Sequence, residues 1–294
     1  MLAKGPSLPV AYTRAMSEKL QKALADRGLG SRREMERWIQ AGRVRVNGEK
    51  ATIGARVAAD DRIVVDGQLL GDAPSTHCRV LVLNKPEGVI VTRRDPKGRP
   101  SIFDDLPPLA SGRWITVGRL DINTGGLLLL TNSGALANRL MHPSTGIDRE
   151  YAVRVNGLLE DEALERLRTG IVTDARAERF SDIRYYNGSG SNHWYHVVLM
   201  EGRNHEVRRL FAAEGVRVTR LKRVRYGPVA LPSWLKRGQR TEMNSTDTAT
   251  LHRLLGLPPP NSRRRPNQTR SVLIPYPSLA TTAADVSAGS ASSG

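Results

Sequence analysis

Apolar residues in the first quarter of the chain recur at helical spacing and then switch to alternation. Leu20, Ala23 and Leu24 share one side of a short helix that should end at Gly28. Ser31 followed three residues later by Glu34 is the sequence form of a capping box and predicts the start of a second helix. Met35, Trp38 and Ile39 make its apolar stripe, and Gly42 stands where a helix-ending left-handed residue is expected. Val44 and Val46 then alternate, Asn47-Gly48 favours a tight hairpin turn, and Ile63-Val64-Val65 leads into a second such pair, Asp66-Gly67. Two short helices on a small antiparallel sheet, over residues 17–70, account for these signals.

Residues 71–78 read as a polar linker, and strand-like and helix-like segments alternate over residues 79–257. Strands are predicted at Val80–Asn84, Trp114–Val117, Leu127–Thr131, Tyr151–Val155, Tyr195–Met200 and Thr219–Val224. Helices are predicted at Ala135–Met141, Glu160–Thr169 and Glu206–Glu214. Several strands follow one another through short links, which predicts an α+β domain on a largely antiparallel mixed β-sheet, not a doubly wound one. Residues 1–16 read as a flexible arm. Residues 258–294, with Arg263-Arg264-Arg265 and a Ser/Ala/Thr/Gly-rich end, read as a disordered basic tail.

Charge sharpens this picture. Lys and Arg number 45 against 29 Asp and Glu, giving a net charge of +16, a balance that attracts polyanions. The cations cluster: Arg32, Arg33, Arg37, Arg43 and Arg45 crowd the second helix and its flank, with Arg33 and Arg37 on one helical face. A solvated basic face and a phosphate-reading face both fit that cluster. Arg217, Arg220, Lys222, Arg223 and Arg225 form a second block, readable as a charged edge strand or as an RNA-backbone contact. The single cysteine, Cys78, permits neither an intramolecular disulfide nor a thiolate zinc cluster. His193 and His196 would face opposite sides of a strand, so no metal site is expected. No apolar run approaches the roughly 20 residues of a membrane span, and no secretory leader is evident, so a cytoplasmic protein is expected. The absence of a heptad seam favours a monomer without an obligatory protein partner.

The stretch Gly118-Arg119-Leu120-Asp121-Ile122-Asn123-Thr124-Gly125-Gly126, followed by Leu127–Leu130, places an aspartate on a short loop between two apolar strands. Such a loop is where catalytic groups are held. From residue chemistry alone, a plain turn aspartate accepting backbone hydrogen bonds is the favoured reading.

Four ordered motifs widen that reading. Gly118–Asp121 with Thr124, Gly126 and the leucine run resembles the signature of the pseudouridine synthases that modify ribosomal RNA. Leu83-Asn84-Lys85-Pro86-Glu87-Gly88-Val89 resembles the family's first motif, which supports the active-site loop. Arg149-Glu150-Tyr151-Ala152-Val153 resembles the segment with the active-site tyrosine. Glu201-Gly202-Arg203-Asn204-His205-Glu206-Val207-Arg208-Arg209-Leu210 resembles the segment that gives the aspartate a basic partner. Residues 17–70 are similar to an S4-type RNA-binding domain. The stretches Thr92–Pro100, Gly112–Ile115 and Arg223–Pro228 resemble the branch acting on large-subunit RNA.

The resemblance implies an isomerase of uridine in large-subunit ribosomal RNA, free or in an assembly intermediate, with no cofactor. It implies Asp121, Tyr151 and Arg208 as catalytic residues, Arg208 keeping a buried Asp121 ionised. On residue type alone, without the resemblance, Tyr151 reads first as a core tyrosine. RNA contacts are expected from Arg32, Arg33, Arg37, Arg43, Lys85, Arg93, Arg94, Arg119, Arg203, Asn204, Lys222 and Arg223. His205 departs from the family, which usually has a basic residue there, and so does Ser133, where an aspartate is common.

Overall fold

The computed structural model describes residues 17–71, 77–173, 176–261 and 270–277, which divide into two compact units. The N-terminal arm, most of the linker, Arg263–Arg265 and the last seventeen positions of the tail, 278–294, lie outside the described residues.

The smaller unit comprises β1 (Glu18–Lys19), α1 (Leu20–Asp26), α2 (Arg32–Gln40), β2 (Val44–Val46), β3 (Glu49–Lys50), β4 (Arg56–Val57), β5 (Ile63–Val65) and β6 (Gln68–Leu69). Ser31 and Glu34 form the expected reciprocal capping box, satisfying two of the orphan amides at the start of α2. Strands pair in the order β3-β2-β5-β6. Asn47 and Gly48, then Asp66 and Gly67, all have positive φ, which is the backbone of the two hairpin turns. Leu20, Leu24, Met35, Ile39, Val44 and Ile63 close a small core. Pro108–Arg113, expected in the second domain, group with this unit.

The larger unit contains β7 (Val80–Lys85), β8 (Ile115–Thr116), β9 (Gly125–Thr131), α3 (Gly134–Met141), β10 (Arg149–Asn156), α4 (Asp161–Thr169), β11 (Ile171–Thr173) and β12 (Arg176–Glu178). It continues with β13 (Asp182–Ser189), β14 (Asn192–Leu199), α5 (Glu206–Ala213), β15 (Arg217–Tyr226), β16 (Val229–Ala230), β17 (Arg240–Glu242) and α6 (Ser245–Leu254). The main sheet runs β13-β14-β10-β15-β9-β7-β17, with β8 on β9 and β16 on β15. Among its described pairings only β15 with β9 is parallel, so the sheet is mixed and largely antiparallel, as expected.

Leu127 to Leu130 are all fully buried, so β9 is covered on both faces. Leu127 and Leu129 pack with Val80, Val82, Leu136, Leu140, Leu251 and Leu255. Each such side chain contributes roughly 1.5–3 kcal/mol by leaving water. Gly126 explains how β15 approaches so closely: its φ is +97°, and a Cβ there would lie 2.2 Å from the Arg223 carbonyl oxygen.

The tail corrects an expectation. Residues 270–277 lie on the larger unit: Val272 is buried in its core, and Val272 N and Ser271 Oγ donate to Asp247. Tyr276 Oη donates to Asp148 at 2.6 Å. Val272 and Tyr276 give this short run the apolar anchors that the surrounding low-complexity sequence lacks.

Candidate active site

The loop carrying Asp121 is tied down through its backbone. Four consecutive carbonyls are each engaged: Lys85 Nζ donates to Asp121 O (3.2 Å) and Thr124 O (2.9 Å), Gly88 N to Ile122 O (2.8 Å), and Arg208 Nη2 to Asn123 O (3.0 Å). Lys85 Nζ gives its third bond to Pro86 O at 2.9 Å, so all three ammonium donors are used inside the protein. Thr124 N returns to Asp121 O at 3.0 Å and closes the turn. With its peptide groups fixed in this way, the loop leaves the Asp121 carboxylate free to project.

That carboxylate opens into a cleft lined by Arg119, Asp121, Thr124, Tyr151, His205 and Leu221, among others. Tyr151 sits on β10 with 8% exposure, and Val153 and Val155 follow on its buried face. It therefore offers its ring to the cleft from a rigid strand. Thr124 is buried beside it, its hydroxyl without a protein partner among the described residues.

The basic partner of Asp121 is not the expected one. His205 Nδ1 lies 3.5 Å from Asp121 Oδ2, while Arg208 donates to the carbonyls of Asn123 and Val218. The reason is geometric. His205 caps α5 in a left-handed conformation (φ 54°) that turns its ring toward the loop, whereas Arg208 is one turn into the helix and passes beneath the loop. Nor is the carboxylate deeply buried; its side chain is 39% exposed. The departure noted at position 205 was the one signal in the sequence that pointed to this contact.

The expected RNA-binding residues divide sharply. Lys85 and Arg223 are corrections, because both are buried. Burial, partly offset by the negative charges of Asp121 and Glu87, pulls Lys85 from the ordinary lysine value of 10.5 down to about 8. Arg223 Nε donates to Leu127 O at 2.8 Å and the guanidinium lies 5.1 Å from the Tyr226 ring centre, inside the sheet. Arg43 is exposed but neutralised by a two-pronged pair with Asp66 and stacked 3.9 Å from the Trp38 ring. Arg203 is paired with Glu201 at 2.7 Å at the cleft rim, and Arg93 lies over Phe103 and donates to Trp114 O. Arg32, Arg33, Arg37, Arg94, Arg119, Asn204 and Lys222 are exposed and open to solvent.

The arrangement is a carboxylate on a backbone-locked loop, opening into a cleft with an aromatic residue in its wall, in a mixed-sheet domain. The family described as RNA pseudouridylate synthase matches residues 79–213, and the S4 domain matches residues 18–63. The chain is 54% identical over 259 residues to the ribosomal large subunit pseudouridine synthase B of Pseudomonas aeruginosa, covering 87% of this chain and 66% of that protein. It is 52% identical over 253 residues to the proteins of that name from Salmonella typhi and Escherichia coli (strain K12), covering 85% of this chain and 87% of each. A crystal structure of a pseudouridylate synthase, 26% identical, superposes with a TM-score of 0.56 over 79% of this chain and 99% of that one. The chain belongs to the RNA pseudouridylate synthase family.

Proposed function

We propose that the protein isomerises a uridine of large-subunit ribosomal RNA to pseudouridine, with Asp121 as the reacting carboxylate. The bond between the sugar and the base nitrogen breaks, the base turns, and a bond from the sugar to a base carbon replaces it. That carbon loses its proton and the freed nitrogen gains one, so nothing is oxidised and no group departs. The reaction asks for a carboxylate that attacks or stabilises and a pocket that keeps hold of the base.

The observation that carries this reading is the locked loop: four fixed carbonyls hold the backbone while the Asp121 carboxylate, with His205 beside it, opens into a cleft walled by Tyr151. A base in structured RNA must first be extruded, at a cost of a few kcal/mol. Stacking on Tyr151 offsets part of it, since such contacts are worth roughly 1–3 kcal/mol. The large-subunit assignment follows the names of the relatives, and the net charge of +16 suits an RNA substrate.

The test is to incubate wild-type and Asp121→Asn protein with protein-free large-subunit RNA, and with particles from cells lacking the protein, and to map pseudouridine by carbodiimide-dependent primer extension. One new stop is expected with wild type. Asp121→Asn should lower its rate of formation by at least about a thousandfold while Kd for the RNA changes less than about twofold. A stop that persists with the variant, or no wild-type stop on either substrate, overturns the assignment.

A further inference from the structure

Strand β15 uses its two faces differently. Leu221 lines the Asp121 cleft, while its neighbours Arg220 and Lys222 line a second hollow of about 300 Å³. Successive strand residues point to opposite faces, so this hollow lies across the sheet from the carboxylate. Trp194, Lys236 and Arg237 stand in its wall, Gly125 and Gly126 lie in its lining, and the carboxylate of Glu87 borders it beside Gly125.

The register extends the pattern over three strands. Trp194 on β14 stands opposite Arg154 on β10, which stands opposite Arg220 on β15. In the next row His196, Ala152 and Lys222 are opposite one another, and Tyr186, 68% exposed, lies 5.4 Å from the His196 ring. Two acids border this face, and both have cationic neighbours: Glu150 binds His196 at 2.8 Å and Arg225 at 2.9 Å, and Glu87 in the wall of the hollow faces Arg237. Arg237 is only loosely engaged, 3.8 Å from Glu87. Arg220, Lys222 and Lys236 carry no ion pair among the described residues.

Aromatic rings and uncommitted cations spread over an open sheet match one ligand chemistry. Tyr186 is exposed and Trp194 half-buried with its side chain on the hollow; such rings take unstacked bases of any sequence, and the cations between them take phosphates. An acidic protein segment would use the cations but not the rings. We propose that this face is a second RNA-binding surface, in which a single-stranded nucleotide stacks on Trp194 while its phosphates follow Arg220, Lys222 and Lys236. The proposal rests on the reading of the substrate as RNA, and it adds a contact that the Asp121 cleft does not make.

Affinity for a fluorescently labelled, protein-free large-subunit RNA fragment tests it, measured across a salt series. Trp194→Ala should weaken binding about tenfold and Trp194→Phe should restore most of it. Arg220→Ala/Lys222→Ala/Lys236→Ala should lower the slope of log affinity against log salt by about 2, near 0.7 for each lost phosphate contact. Ultraviolet crosslinking of the wild-type complex, which needs no variant to fold, should attach RNA to the peptide containing Trp194. Unchanged affinity and slope in variants that melt like wild type, or RNA crosslinks confined to the Asp121 side, would overturn it; a protein ligand for this face would give that result. If wild type binds RNA through Trp194 yet forms no pseudouridine, the proposed reaction fails and this surface stands.

Discussion

The Asp121 loop and the open sheet face are both rich in cations, and they use them in opposite ways. Around the loop, Lys85 and Arg208 spend their donors on backbone carbonyls, and nearby Arg223 is shut inside the sheet against Leu127 O. Across the sheet, Arg220 and Lys222 stand in solvent. Residue type does not separate the two groups; burial does. A buried cation must find acceptors or lose its charge, so inside the protein it becomes a tether. An exposed one that no carboxylate claims, unlike Arg43 on Asp66 or Arg203 on Glu201, keeps its donors for a ligand.

Removing a tether should break this contrast most visibly. Lys85→Met removes the ammonium from three carbonyls, leaving those of Pro86 and Thr124 without this donor and that of Asp121 with Thr124 N alone. Misplacing a reacting group by about 1 Å can cost 100-fold, and a rate loss of about that size is expected. Stability should change by less than about 2 kcal/mol, because deleting a buried charge offsets the lost hydrogen bonds. Single-turnover pseudouridine formation and thermal melting check the two numbers; a rate within fivefold of wild type would mean the loop holds without this lysine.

The same lysine gives the pH dependence a definite sign. Its value is lowered to about 8 from the ordinary 10.5, so between those limits the unfolded chain binds the proton more tightly. The cost of keeping Lys85 charged is therefore present below about 8 and is relieved as pH rises toward 10.5. Its contribution makes stability rise across that window. Activity should move the other way, because a neutral amine has two donors for three carbonyls. The rate of wild type should fall above about pH 8 while its melting temperature, corrected with Lys85→Met, does not fall.

Arg208 supplies a smaller test. It holds Asn123 O and Val218 O and not the carboxylate, so Arg208→Lys should cost about tenfold in rate, the loss of one positioning contact worth about 1.4 kcal/mol. Single-turnover rates of Arg208→Lys and Arg208→Met decide it. A loss as deep as that of Asp121→Asn would show that the guanidinium reaches the carboxylate once RNA is bound.

Much of this architecture was legible in residue order. The Ser31/Glu34 capping box, the turns at Asn47-Gly48 and Asp66-Gly67, and the doubly buried Leu127–Leu130 run each follow from local chemistry and formed as read. Strand β13 escaped because all its residues from Arg184 onward are exposed, leaving no alternation to detect. The inward course of Lys85 escaped because nothing in a lysine's identity tells which acceptors a fold will bring to it. Arg223 was more readable: it shares parity with Leu221 on β15, and that alternation already put it on the buried side. The partner of Asp121 was the hardest, since it depends on one left-handed residue at the start of α5, and local pattern does not report backbone φ.

His205 should therefore give the mildest effect of all. Its ring meets a carboxylate that is 39% exposed and is itself 60% exposed, so solvent screens the pair. Contacts of this kind are worth up to about 1 kcal/mol, or about fivefold in rate. Asparagine tolerates the left-handed conformation that position 205 requires, φ 54°, without bringing a charge. His205→Asn should then lower the single-turnover rate by two- to fivefold and leave the melting temperature close to that of wild type. A loss approaching that of Lys85→Met would mean that Asp121 is held from its side chain as firmly as from its backbone, and the division between tethering and free cations would have to be redrawn to include the cleft rim.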